Sequence, residues 1–322
     1  ALCLVSGHAT NVTLLGTLLG NEDMVILDAY AHNSLHEGAR LSGAARRVFA
    51  HNDLDALSRL LAAERRRHRH VLIAVEGLYS MDGDTPDLPR LVELKDRYDA
   101  WLLVDEAHAL GVTGPGGAGT ASAQGVEPTA VEIWMGTLSK TLAATGGYVA
   151  GNSTLVDYLR HTAPGFVFSV GLPPPLAAGA AAALSILQAE PDRHDALAAN
   201  GALFRDAALC AGLDTGLSEG HAITPILVGS SLHAVALAER LFDAGIYAGP
   251  IVHPAVPENQ ARLRFFLTAL HQPAEIEAAV ETIARLRHDL DAWIERRADD
   301  ARQSTRAPSD GGRPRAHGSG AR

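Results

Sequence analysis

Only two lysines, Lys95 and Lys140, occur among the 27 Lys and Arg residues of this 322-residue chain, so arginine supplies its general positive charge. A lysine kept where arginine is the habit asks for a chemical reason. A guanidinium never loses its proton, whereas a desolvated amine can do so and form a Schiff base with a carbonyl. Lys140 stands in such a place: it follows an apolar run within Trp134-Met135-Gly136-Thr137-Leu138-Ser139-Lys140-Thr141, with Gly146 and Gly147 soon after. Lys95 reads differently. Beside Glu93 and Asp96 on the polar side of a helix from Leu88 to Tyr98, it is expected to be a solvated surface cation.

The second constellation is Trp101-Leu102-Leu103-Val104-Asp105-Glu106-Ala107-His108, an apolar strand that ends on an acid and presents a histidine three residues later. A nucleotide-hydrolysing reading fails, because no Gly-Lys pair and no phosphate loop of the G-x-x-x-x-G-K-[ST] type exists in the chain. A third strand end is Glu76-Gly77-Leu78-Tyr79-Ser80. In an open α/β sheet the carboxyl ends of strands converge on one ligand site, so Lys140, Asp105, His108 and the hydroxyls of Ser80 and Thr137 are expected to meet. Such a set suits an electron-sink cofactor: an amine for the imine, a carboxylate for a pyridinium nitrogen, and hydroxyls and backbone N–H groups for a phosphate. His32 and His36 sit at helical spacing, but no third ligand accompanies them, so no metal is implied.

These groups need a scaffold of alternating strands and helices. Apolar runs at Val71 to Val75, Trp101 to Val104, Val131 to Met135 and Gly147 to Ala150 predict strands. A helix over Asn52 to Arg67, with Asn52 as its cap, and the helix from Leu88 cross over between them. That order gives an α/β fold with a mainly parallel sheet and flanking helices. The run Pro173-Pro174-Pro175 opens an Ala-rich helix to about Gln188, and beyond it strands at Ile223 to Val228, near Ile246 and at Leu263 to Thr268 join helices at Leu232 to Ala244 and Ala274 to Arg296. The expected domains are therefore 1–188, a smaller α+β unit over 189–297, and a disordered tail over 298–322 that lacks apolar residues.

A formal charge of −10 argues against nucleic acid or an anionic membrane as a partner. Cys3 and Cys210 are too few for a disulfide framework, and the apolar start Ala1 to Val5 is broken too early by Ser6, Gly7 and His8 for a leader or membrane span, so a cytoplasmic location is expected. The basic stretch Arg65 to His70 ends a helix, where cations favour the dipole and solvent suffices.

Three segments, Val104-Asp105-Glu106-Ala107-His108-Ala109-Leu110-Gly111, Glu76-Gly77-Leu78-Tyr79-Ser80-Met81-Asp82-Gly83-Asp84 and Gly136-Thr137-Leu138-Ser139-Lys140, closely resemble the α-oxoamine synthases, which are pyridoxal 5′-phosphate (PLP) enzymes of fold type I. The likeness runs from Ser6 to about Leu290 and covers 8-amino-7-oxononanoate, 5-aminolevulinate, glycine C-acetyltransferase and serine palmitoyltransferase types. It implies that Lys140 holds PLP, Asp105 meets the ring nitrogen, His32 stacks on the ring, and His108 and Ser80 lie near its phenolic oxygen. Gly7, His8 and Thr137 would serve the phosphate, joined by Ser169 from the other subunit of a homodimer with shared active sites, and Arg264 would hold the substrate carboxylate. The implied reaction condenses a small amino acid with an acyl-CoA, releasing CO2, thiol and an α-amino ketone. An aminotransferase of the same fold and a silent partner subunit are the alternatives. Two departures stand out: Val252 to Pro257 lacks an arginine that some members carry, and the family's segment preceding Ser6 is absent.

Overall fold

The computed structural model describes residues 1–306, with side chains to residue 298. A seven-stranded sheet holds β1 (Leu2–Leu4), β2 (Met24–Asp28), β3 (Ala45–Phe49), β4 (Val71–Glu76), β5 (Trp101–Asp105), β6 (Ile133–Thr137) and β7 (Gly147–Gly151), in the order β1-β7-β6-β5-β4-β2-β3. Strands β2 to β6 pair in parallel, while β7 runs antiparallel to β6 and to β1. Parallel strands covered on both faces must be apolar throughout, and every residue of β2 and β4 is buried. Helices Gly7–Leu18, Asn33–Ser42 and Ser153–Thr162 cover one face through Leu14, Leu15, Leu35 and Leu159. Leu54–Glu64 and Leu88–Arg97 cover the other through Leu57, Leu61, Leu91 and Leu94.

A second, three-stranded antiparallel sheet is built from β8 (Ile223–Gly229), β9 (Gly249–Ile251) and β10 (Ala261–Phe266) in the order β8-β10-β9. Its own core joins Ile226, Leu263 and Phe265 to Phe204, Leu237, Ile276 and Ile283 of the surrounding helices. The fold is thus an α/β type I arrangement with a mainly parallel sheet beside a smaller α+β unit. No helix among the described residues is long and apolar enough to cross a membrane.

Four expectations are corrected. Asp53, not Asn52, caps the helix at Leu54, its Oδ1 accepting from Ala56 N at 2.8 Å, while Asn52 adopts a left-handed φ of 53°. Lys95 is not solvated: it is 7% exposed, with its ammonium 2.7 Å from Glu132 and 2.8 Å from Asp96. The Glu132 carboxylate also accepts from Leu102 N at 2.8 Å, so this pair ties the helix to β5. The helix expected over Ala274 to Arg296 is two, Pro273–His288 and Leu290–Arg306, broken at Asp289. The second of these extends past residue 298, where the tail was expected to begin; the rest of that expectation, 307–322, lies outside the described residues.

Candidate active site

Neighbouring strands β4, β5 and β6 end at one edge of the sheet on Glu76, Asp105 and Thr137, with Glu76 directly opposite Asp105 in register. The loop after β6 carries Lys140. It is closed by Leu138 N donating to Gly146 O (2.9 Å) and Ala144 N donating to Leu138 O (2.8 Å), and Ala143 N donates to Lys140 O at 3.0 Å. The backbone at Lys140 is therefore fixed although its side chain reaches into an open cavity. That cavity, about 230 Å³, is lined by Gly7, His8, His32, Asp105, His108, Thr137 and Lys140, so seven of the residues singled out in the sequence meet there.

Asp105 forms its floor. It is 4% exposed; Oδ2 accepts from Asn11 Nδ2 at 2.8 Å and Oδ1 from Ala107 N at 2.9 Å. Asn11 Nδ2 also donates to Ser34 Oγ at 2.9 Å, and Ser34 lies 2.7 Å from His32 Nδ1. Because Nδ1 accepts from Ser34 N as well, the His32 ring is pinned as the cap of its own helix. Burial raises the Asp105 pKa above the ordinary carboxylate range, against the pull of the Asn11 and Ala107 donors. Both donors are neutral, so among the described residues this carboxylate has no hydrogen-bonded counter-charge. Glu76, fully buried beside it, is pushed well above the ordinary carboxylate range, first by burial and then by the Asp105 charge.

The opposite end of the cavity suits an anion. Ser6 caps the helix Gly7–Leu18, its Oγ accepting from Ala9 N at 3.1 Å, and Gly7 and His8 line the cavity at this positive helix terminus. Gly7 is needed for closeness, since a Cβ there would stand 3.0 Å from the Thr137 side chain. Thr137 Oγ1 is occupied by Gly146 O (3.0 Å) and Ser139 Oγ (2.8 Å), and Ser139 adds a cavity hydroxyl that sequence reasoning did not single out. With an anion site at one end, an unpaired carboxylate at the other and an amine between them, the residues fit PLP.

A second cavity of about 500 Å³ shares His32, His108 and Lys140 with the first and adds Ser80 and Arg264. Arg264 Nη1 donates to Ser80 O at 2.9 Å, its guanidinium lies 4.7 Å from the Phe266 ring centre, and its Nε is buried without a partner. No carboxylate among the described residues pairs with it. Burial, and then Lys140, Arg264 and His32, push the His108 pKa down to about 3, so its imidazole is neutral. Burial also lowers the Lys140 pKa, against Asp105 and Glu76. Ser169 alone stands apart: it lines neither cavity and lies in an exposed segment. Asn11 was missed, although its place one helical turn after the Gly7-His8 pair was the available signal. Among the described residues no group of three metal-ligating side chains is assembled.

The model of the aminotransferase class I and II family matches residues 1–283. An 8-amino-7-oxononanoate synthase of Bacillus velezensis is 40% identical over 290 residues, covering 90% of this chain and 73% of that one. A serine palmitoyltransferase structure from Sphingomonas wittichii superposes with a TM-score of 0.85 at 30% identity, over 90% of this chain and 73% of the other. Another structure of that enzyme type, solved with PLP bound, gives 0.85 at 28% identity with the same coverage.

Lys95 and Lys140 differ in what holds their protons. Asp96 and Glu132 outweigh burial and raise the pKa of Lys95, whereas burial lowers that of Lys140. Saturation with PLP followed by borohydride is expected to leave the reduced label on the Lys140 peptide, read by peptide mass mapping; label on Lys95 instead would overturn the assignment.

Proposed function

As a member of the α-oxoamine synthases within the class I and II aminotransferase family, this chain is a PLP-dependent acyltransferase that joins an amino acid to an acyl thioester with loss of CO2, and we propose that its amino acid is alanine. The observation that carries the assignment of roles is the pair of unmatched charges around Lys140, the Asp105 carboxylate in one cavity and the Arg264 guanidinium in the next. The relatives' name describes a product whose amino-bearing carbon carries one methyl group, which is what alanine leaves after its carboxyl departs.

PLP supplies a conjugated ring that takes up the electron pair left when a bond at the amino acid's Cα breaks. The chain's residues have separate tasks. Arg264 offers a planar fork to the substrate carboxylate, and a bidentate pair fixes direction as well as distance. Lys140, the only amine in the cavity, would hold the cofactor and then move the Cα proton. Asp105 would be the anion for its ring nitrogen, His32, pinned through Ser34, would cover the ring, and neutral His108 with Ser80 would offer hydrogen bonds to it. Gly7, His8, Thr137 and Ser139 would hold its phosphate. In balance, the zwitterionic amino acid, the acyl-CoA and one solvent proton become an α-ammonio ketone, CO2 and the free thiol.

The segment around Ser169 supports a shared-site homodimer. Phe168 and Val170 are 86% and 84% exposed, and the helix Pro174–Ala189, apolar along its length, buries only Ala180. Apolar surface of that extent on a water-soluble fold calls for a partner, and a second copy would bring Ser169 to the neighbouring phosphate.

Two measurements test these readings. Alanine and acyl-CoA with the PLP-loaded protein should release free thiol with no keto acid present, and glycine or serine should release it at least about tenfold more slowly. Equal rates with all three amino acids would remove the alanine assignment. Mixing Lys140→Ala with Ser169→Ala, each strongly impaired alone, should restore about a quarter of wild-type activity, because heterodimers keep one complete site. Verified heterodimers with no recovery would exclude Ser169 acting in trans.

A further inference from the structure

Just outside the two cavities lies a charged group that the chemistry above does not use. His51, two residues beyond the end of β3, has Nδ1 2.8 Å from Asp28 Oδ1 and Nε2 2.7 Å from Asp84 Oδ2. Its side chain is 9% exposed, and those of Asp28 and Asp84 are 0% and 7% exposed. Both ring nitrogens face carboxylate oxygens, and with both acids ionised the two bonds exist together only when the ring carries two protons. Burial opposes that state, but the bonds and charges of Asp28 and Asp84 outweigh it and raise the pKa to about 9. Tyr30 stacks on the imidazole at 4.1 Å and Tyr79 meets it edge-on at 4.5 Å. Asn52, held at a left-handed φ of 53°, completes the shell: its N donates to Asp28 Oδ2 and its Nδ2 to Asp84 Oδ2, both at 2.9 Å.

The cluster bears on the site through the turn that contains Asp84. That turn is closed by Tyr79 N to Asp84 O and Gly83 N to Tyr79 O, each 2.9 Å. Its far side grips the small sheet: Ser80 O accepts from Arg264 at 2.9 Å, and Asp82 Oδ1 accepts from Arg262 at 2.6 Å in a buried ion pair. Arg262 and Arg264 are two apart on β10, so their side chains leave the same face. The fit is close, since a Cβ on Gly83 would lie 2.2 Å from Ile223 O. One end of the turn is thus fastened to the large sheet through His51, and the other determines where the Arg264 guanidinium stands.

We infer that His51 is a positioning residue: by bridging Asp28 and Asp84 it fixes the turn from Tyr79 to Asp84, and through it aims Arg264 at the amino-acid carboxylate. The inference rests on the reading of Arg264 given above. Glutamine carries its donors on a single nitrogen, so it holds one of the two acids and frees the other, and the turn keeps its fold but loses its fixed distance from β2.

The test compares binding of L-alanine with that of L-alaninamide, which lacks the carboxylate charge, to PLP-loaded protein by calorimetry. His51→Gln should weaken alanine about tenfold while alaninamide stays within about twofold, with KM for alanine rising more than kcat falls, as expected when a positioned clamp drifts. Asp84→Asn, which keeps an acceptor for Nε2 but not its charge, should show the same selective loss in smaller measure, and it carries the test if His51→Gln does not fold. Equal weakening of both ligands, or no weakening in a folded variant, would overturn the inference and leave His51 a stabiliser of the fold. Arg264→Gln separates the two readings: if that change spares the preference for alanine over alaninamide, it is the Arg264 assignment that fails.

Discussion

The interaction on which the rest of the site depends is the fixing of one buried carboxylate that has, among the described residues, no hydrogen-bonded positive partner. Asp105 ends a fully apolar stretch of β5, and its two oxygens are held by an amide and a backbone N–H, which orient the charge but do not neutralise it. A buried anion left that way costs free energy. A ligand that brings a cationic N–H would recover that cost on binding, which is the basis for proposing Asp105 as the partner of a pyridinium. The neighbouring Glu76 is a poor second anion, because two ionised carboxylates in register on adjacent strands would repel, and burial pushes its pKa well up.

Asn11 makes the rest of the site follow from that floor. It lies on the helix whose first turn lines the cavity with Gly7 and His8, so one rigid element links that turn to Asp105. The same amide reaches Ser34, and Ser34 sets His32. The three groups proposed to meet the cofactor are thereby tied to each other by hydrogen bonds shorter than 3 Å within the chain. Arg264 comes from the other sheet, and its placement depends on the turn at Tyr79 to Asp84 instead.

Much of this was legible in the residues. Lys140 stood out because the chain avoids lysine, and Asp105 and Glu76 because neighbouring strands end together on acids, a histidine, hydroxyls and that lysine. The parallel strands β4 and β5 were legible because burial on both faces leaves continuous apolar runs. Lys95 was not. Its neighbours Glu93 and Asp96 describe a surface helix, but its partner Glu132 lies 37 residues later, and only the packing of that helix on the sheet brings the two together. Asn11 hid for the same reason, since its partner is 94 residues away. The early strands β2 and β3 went unread, the second because Ala45–Phe49 carries two arginines that mask its edge position. The break at Asp289 also escaped, because apolar spacing continues across it from Leu286 to Leu290 and Trp293.

The central claim is that Asp105 acts as the fixed anion for a protonated ring nitrogen. Exchange of the alanine Cα proton with solvent deuterium, followed by NMR without any acyl donor, isolates that role from thioester binding and release. In Asp105→Asn protein shown to carry PLP on Lys140, exchange should slow by about a thousandfold or more, since each ~1.4 kcal/mol of lost stabilisation is a factor of ten. Exchange within a few-fold of the wild-type rate in that loaded variant would contradict the account.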